Sequence, residues 1–317
     1  MKTCLLCLFL LISRLSPGQA IDNLPSFRNS GSGKSVRFRY DNDFFTATDR
    51  YYTQGINLEI THPSFQGFFL EKILLHPITG RSEYGISFQH NAYTPTSIRH
   101  NEIILDDRPF AACLFLNTFR VVTDTLRRRR MSATISLGLL GQGAGGKEMQ
   151  ETIHRWLNNI EPLGWSHQVR NDLILNYQVN YEQGIYHRRY LLLSSYFSGR
   201  AGTLSDKLGG GFTLMTGLFD NPYSPEKPGR KVQLYLYTNP VVQAIGYDAT
   251  LQGGLFDRES PYVLPAAAID RMVFQNNAGI VLRFGKVYLE YFQSVLTKEF
   301  STGVLHRWGG IQFGAAF

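Results

Sequence analysis

Residues 172–183 set the first limit on what this chain can fold into. Leu173, Leu175, Tyr177, Val179 and Tyr181 alternate there with Asn176, Gln178, Asn180 and Glu182. The pattern recurs with Val36, Phe38 and Tyr40 against Arg37, Arg39 and Asp41, and with Ile56, Leu58 and Ile60 against Asn57, Glu59 and Thr61. It recurs again with Val232, Leu234 and Leu236 against Gln233, Tyr235 and Tyr237. One apolar and one polar face at period two is the signature of a β-strand, because successive side chains point to opposite faces. Strands are expected near 35–43, 53–62, 83–92, 110–122, 130–140, 172–183, 187–197, 208–218, 231–239, 241–253, 270–283 and 285–296. The segment near 306–317 makes a thirteenth candidate. A single-chain bacterial barrel needs an even number. About twelve strands is therefore the expectation, with 241–253, interrupted by Gly246 and Gly253, the weakest.

Alternation alone does not separate a soluble sandwich from a membrane barrel. In the first the apolar face turns inward; in the second it meets lipid and the polar face lines a lumen. Three other features choose the barrel. Met1-Lys2, an apolar run from Cys4 to Ile12 and Pro17-Gly18-Gln19-Ala20 read as a secretory leader over residues 1–20. The chain holds 17 Tyr and 22 Phe, the aromatic load an interfacial girdle needs. It ends Ile311-Gln312-Phe313-Gly314-Ala315-Ala316-Phe317, which resembles the last strand of bacterial outer-membrane barrels. No segment reaches 18 apolar residues, so helical spans are not expected. With Cys4 and Cys7 in the leader, Cys113 is alone and no disulfide is available. The reading is an all-β transmembrane antiparallel barrel over residues 21–317, monomeric, with a short helix in an external loop. Removing the leader's two cations from 32 Lys+Arg leaves 30 against 25 Asp+Glu, a net of +5. A basic balance suits an anionic lipid surface; an exported protein seldom meets nucleic acid.

If the first strand runs outward, the segments around 44–52, 93–109 and 141–171 are external loops. The run Arg127-Arg128-Arg129-Arg130 then falls in a periplasmic turn. That is the wrong side for clamping lipopolysaccharide phosphates, and a solvated turn is the expectation.

The third external loop carries the clearest chemistry. Gly141, Gly143, Gly145 and Gly146 break the strand, and Lys147 to Asn159 reads as a helix stopped by Pro162 and Gly164. Met149, Ile153, Trp156 and Ile160 form an apolar stripe, with Gln150, His154 and Asn158 beside it. His154 is a candidate general base, because imidazole titrates near neutrality. Gln150, one turn away, could orient the ring or a water. A lone surface histidine is more often inert. Asp41-Asn42-Asp43 offers oxygen ligands of the kind calcium prefers, although a hairpin cap explains the same residues. Thr53 lies across the first loop from Asn42. Asp106-Asp107-Arg108 closes the second loop, where local salt bridging is the ordinary reading. Gly-x-Ser-x-Gly and paired metal-ligand cysteines are absent.

Together these residues resemble the outer-membrane lipid A 3′-O-deacylase family. The similar pieces are Asn42-Asp43, Asp49-Arg50-Tyr51-Tyr52-Thr53-Gln54-Gly55, Asp107-Arg108-Pro109-Phe110-Ala111, and Gly141 through Gln150 to His154, then Gly164-Trp165 and Gln168. They occur in order across the first half of the mature chain. The resemblance implies a twelve-stranded barrel and calcium-assisted hydrolysis of an ester, at a site between the barrel wall and a loop helix. It implies His154 as general base, Asn42, Asp43 and Thr53 as the wall side, and Asn42 and Asp43 at the metal. Arg99 and Arg108 are the expected substrate cations. The family can carry a glutamate six residues after the histidine; here Ile160 stands there and Glu161 follows. The expected substrate is lipid A within lipopolysaccharide. The rivals are a phospholipase with the same machinery, a non-enzymatic porin or adhesin, and a covalent mechanism with Thr53 as nucleophile.

Overall fold

A computed structural model of the chain describes residue 28 and residues 33–46, 50–224 and 229–317. The expected leader and Asp49 lie outside the described residues. Twelve strands form a closed antiparallel barrel: β1 (Ser35–Asn42), β2 (Tyr51–Thr61), β3 (Arg81–Thr94), β4 (Ala111–Asp124), β5 (Arg129–Leu140), β6 (Asp172–Arg188), β7 (Leu191–Gly202), β8 (Ser205–Leu218), β9 (Val232–Asp248), β10 (Met272–Phe284), β11 (Val287–Leu296) and β12 (His306–Ala316). Each pairs with its neighbour in sequence, and β12 closes on β1 from Ser35↔Ala316 to Asn42↔Gly309. Closure removes every sheet edge, which hydrocarbon requires. Two short helices sit in loops, α1 (Gly146–Trp156) and α2 (Ala249–Gln252). No helix among the described residues is long and apolar enough to cross a membrane.

The expected thirteenth strand disappears because 231–239 and 241–253 are one strand, β9, running through Pro240. A proline lacks the N–H that a ladder needs. The ladder with β8 is accordingly interrupted between Gly211↔Val241 and Leu214↔Thr238, with the register unchanged across the gap. Between them, Asn239 donates its side-chain amide to the Phe212 carbonyl (2.9 Å) and to the Thr213 hydroxyl (3.0 Å). Gly211 is required beside this break: a Cβ there would fall 2.0 Å from the Pro240 carbonyl oxygen.

The alternation resolves as expected. Val36, Leu173 and Leu175 are exposed on the outer face. Ile56 shares that face half-covered, and so does Val179, which packs beside Ile78, Val122 and Met131. The inner face is polar and closed by charge pairs. Arg28 reaches Glu290 at 2.7 Å, Arg39 reaches Asp41 at 3.0 Å, and Arg37 pairs with Glu59. A lumen cavity of about 40 Å³ remains between Tyr52, Tyr93, Lys207 and Trp308. An inner face so filled gives no support to the porin reading. Cys113 is buried and unpaired.

The connections 95–110, 141–171, 249–271 and 297–305 gather at one end, with the turns 125–128, 189–190 and 285–286 at the other. Longer loops mark the external end of such barrels. Arg127 to Arg130 therefore occupy the periplasmic end. Asp124 holds Arg129 at 2.9 Å and Arg127 at 3.7 Å, and Arg130 is buried. The run is a capped turn.

Candidate active site

Outward-facing residues of β3 alternate from Phe88 through His90 and Ala92 to Thr94. Phe88 is exposed to lipid, yet His90 and Thr94 are 1% exposed and Ala92 is fully buried. The external third of this wall is covered. The cover is the loop 141–171. The His90 Nε2 meets the Ala144 carbonyl at 3.0 Å, and Ala92 and Ala112 pack with Ile98, Phe110, Ala144 and Trp165. The sequence placed a helix in this loop; the structure lays it on the outside of the barrel.

The orientation of α1 follows from its sequence. Gly146, Gln150 and His154, spaced by one turn, form its buried face. Gly146 makes the close approach possible, because a Cβ there would lie 2.5 Å from the Ala112 Cβ and 2.8 Å from the Trp165 ring. Gln150 accepts a hydrogen bond from the Trp165 Nε1 (2.6 Å), and its own Nε2 is buried without a partner. The apolar stripe lies on the flank. Met149 and Ile153 are half-buried, and Trp156 is 78% exposed. Gly146→Val is expected to lift α1 from the wall at a cost of about 1–3 kcal/mol. Hydrogen exchange should show α1 amides opening faster while β2–β5 keep their protection.

His154 is oriented for base chemistry. Its Nδ1 lies 2.6 Å from the carbonyl oxygen of Ile160, so that nitrogen carries the proton and donates. The tautomer leaves Nε2 as the acceptor. Ile160 stands where the family can place a glutamate; the main-chain carbonyl now holds the ring. Glu161, the next residue, is exposed.

A bulge shapes another part of the covered outer wall. Tyr52 pairs with Tyr93 and Gln54 with Ala92, which leaves Thr53 as an extra residue. Tyr51 opens the bulge with φ 69°, an uncommon conformation for a bulky residue. Tyr52 turns into the lumen, donating to Asp41 at 2.8 Å. Thr53 and Gln54 both turn outward. The Thr53 hydroxyl lies 2.8 Å from that of Thr94, and Gln54 shares the outward register of Ile56. Gln54 is 1% exposed, with its Nε2 unpartnered. Bulges re-aim side chains in this way beside active sites. Gln54, His90 and Thr94 were legible as polar residues in an otherwise lipid-facing register, a signal the sequence reading did not use.

The run Asp41-Asn42-Asp43 separates. Asp41 belongs to the lumen pair with Arg39. Asn42 accepts from the Phe44 N–H at 2.7 Å, and one Asp43 oxygen accepts from the Arg50 N–H at 2.7 Å. Both cap the first external turn, as the simpler reading held. The ladder Asp41↔Gly55 brings the next residues level with Gln54 and Thr53. As calcium donors they fit in kind, being a carboxylate and an amide oxygen. They do not fill a coordination shell alone. No group of three His, Cys, Asp or Glu gathers among the described residues, so main-chain oxygens or water would have to complete it.

The two expected substrate cations part company. Arg99 is exposed on the second loop. Arg108 is not at this site. Its guanidinium is fully buried on the lumen side, 2.5 Å from Glu299 and 2.6 Å from the Thr250 hydroxyl, over the Tyr93 ring at 4.4 Å. It lies in the loop before β4, outside the ladder, and turns inward there. Asp107 caps the same loop through the Thr96 N–H (2.8 Å) and the Arg108 N–H (2.7 Å).

Comparison with known proteins agrees with this architecture. A family model described as outer membrane protein LpxR matches residues 4–317. The solved structure of LpxR from Salmonella typhimurium superposes with a TM-score of 0.73 at 20% identity, covering 89% of this chain and 100% of that one. The β domain of the Bordetella autotransporter BrkA gives 0.43 at 8% identity, covering 90% and 100%. No curated protein sequence matches.

Proposed function

Because the chain belongs to the LpxR family of outer-membrane proteins, we propose that it hydrolyses an ester-linked acyl chain of lipid A from the outer face of its barrel. One observation carries the reading. A histidine on the buried face of a loop helix laid against the outside of the barrel has its Nδ1 committed to a carbonyl, and the outer wall of β2 and β3 carries buried hydroxyl and amide side chains. His154 Nε2 takes the proton of a water attacking the ester carbonyl. It then returns the proton to the leaving alkoxide. The buried Nε2 groups of Gln54 and Gln150 lack partners, and such donors stabilise a developing oxyanion when aimed at it. Gln150 also holds Trp165 and with it the seat of α1. Thr53 stands on the wall beside Thr94; its near partner is a second hydroxyl rather than a base, which favours water over Thr53 as nucleophile. Arg99, exposed on the second loop, would meet a phosphate at the headgroup level.

Asn42 and Asp43 would hold a calcium ion against the first turn. When bound, the ion would supply Lewis-acid polarisation of the ester carbonyl. A chelator is therefore expected to abolish fatty-acid release by the purified protein, and excess calcium to restore it. A rate untouched by chelation would remove the cation from the reading. The activity itself is tested by mass spectrometry of lipid A from cells with and without this protein. Loss of one acyl mass only where the protein is present is the expected result. Unchanged lipid A beside newly formed lysophospholipid would show the phospholipase instead.

A further inference from the structure

The connection between β2 and β3 does not turn back at the periplasmic rim. Residues 62–80 run along the outside of the barrel through two short 3-10 turns, Pro63–Phe65 and Phe69–Ile73. Leu74, 1% exposed, packs with Ala133 and Ile135 of β5, with Leu70 and Tyr177 beside them. Ile135 lies midway along β5 and shares the outward register of Leu137 and Leu139, both exposed to lipid. The segment thus covers the periplasmic half of this wall where lipid would otherwise lie. In exchange it exposes its own apolar side chains: Phe68 41%, Phe69 67%, Ile73 59% and Leu75 57%.

Many of its main-chain groups are paired within the protein. Phe65, Gln66, Phe68, Glu71 and Leu74 each donate their N–H to a carbonyl of the same segment, at 2.8–3.2 Å. The Tyr177 hydroxyl reaches out from β6, donating to the Ile73 carbonyl (2.9 Å) and accepting from the Leu75 N–H (2.7 Å). The one acidic side chain, Glu71, is paired at 2.7 Å with Arg120 on the outward face of β4. Irregular backbone is tolerated at membrane depth only with its N–H and C=O groups paired. A turn in water has no such need, because solvent fills the gaps.

We propose that residues 62–80 form a re-entrant element embedded in the periplasmic leaflet, with Phe69, Ile73 and Leu75 in contact with phospholipid acyl chains. The occupant is lipid rather than a second copy, because Phe69, Ile73 and Leu75 continue the lipid-facing surface of Leu137 and Leu175, while the exposed polar residues Ser64, Gln66, His76 and Thr79 fall toward the two ends of the segment. Lys72, exposed beside them, extends its ammonium toward the phosphate layer as lysines at a membrane edge do.

The test is tryptophan fluorescence of the full-length barrel in phosphatidylcholine vesicles. Ile73→Trp and Phe69→Trp are compared with the unsubstituted protein, whose native tryptophans give a constant background. The difference emission is expected to be blue-shifted, quenched by lipids brominated on their acyl chains and insensitive to aqueous acrylamide. Quenching by acrylamide would place the segment in water and overturn the proposal. Protection from both quenchers would show a protein–protein interface, which overturns it equally. The two variants report separately, so failure of one to insert leaves the other decisive. Neither reading involves ester hydrolysis, so loss of this proposal leaves the catalytic one standing.

Discussion

His154→Ala is expected to lower deacylation about 10²–10⁴-fold while the protein still inserts as a closed barrel. The reason lies in how the two parts are built. The twelve-stranded ladder closes through main-chain pairs, none of which involves His154. The imidazole sits on a loop helix outside that ladder, with one nitrogen on the Ile160 carbonyl. Water is a poor nucleophile at neutral pH, and a positioned base that removes its proton accounts for a rate effect of this size. Loss of rate could also come from a loosened loop, since the ring holds the turn after α1. His154→Asn separates the two causes. Its side-chain amide retains a donor for Ile160 but cannot act as a base, so the rate should stay low while α1 keeps its protection from exchange. Fatty-acid release from purified lipid A is the measurement. A native rate in either variant would take His154 out of the mechanism and leave only its packing.

Much of the architecture was legible because β-strand periodicity survives in any environment. Leu173 and Leu175 read as outward in sequence and are outward in space. What periodicity could not show was the merging of two segments through Pro240, since a proline argues locally against a strand and only the Asn239 side chain compensates. The helix was legible from its stripes, and Gln150 and His154 do form its buried face. Its apolar stripe did not become the contact surface: Gly146 and the polar residues took the wall, and Trp156 was left on the flank. The Asp41-Asn42-Asp43 run illustrates the opposite difficulty. Asp41 and Asn42, adjacent on β1, point to opposite faces, and Asp43 opens the 3-10 turn beyond the strand, so a cluster compact in sequence is divided in space. Residues 62–80 gave no reading at all, because an irregular segment has no period to detect.

Glu299→Ala is expected to destabilise the barrel by about 3–5 kcal/mol, because it strands the buried Arg108 guanidinium without its counter-charge. The pair joins residues 191 positions apart, the second external loop to the connection between β11 and β12. Side-chain exposure is 0% for Arg108 and 5% for Glu299. Thr250 and the Tyr93 ring also lie against the guanidinium. Buried pairs of this kind cost heavily when broken from one side but can be exchanged for apolar residues of similar volume with little loss. The double replacement Arg108→Met with Glu299→Leu should accordingly regain most of the stability lost by Glu299→Ala in urea unfolding from vesicles. The same double variant decides between the two roles for Arg108. As an inward structural residue it leaves KM for lipid A unchanged. As a substrate cation, the role its place in the motif implied, its removal would raise KM whatever happened to stability. Unchanged KM with restored stability is the expected pair of results, and a raised KM would return Arg108 to the site.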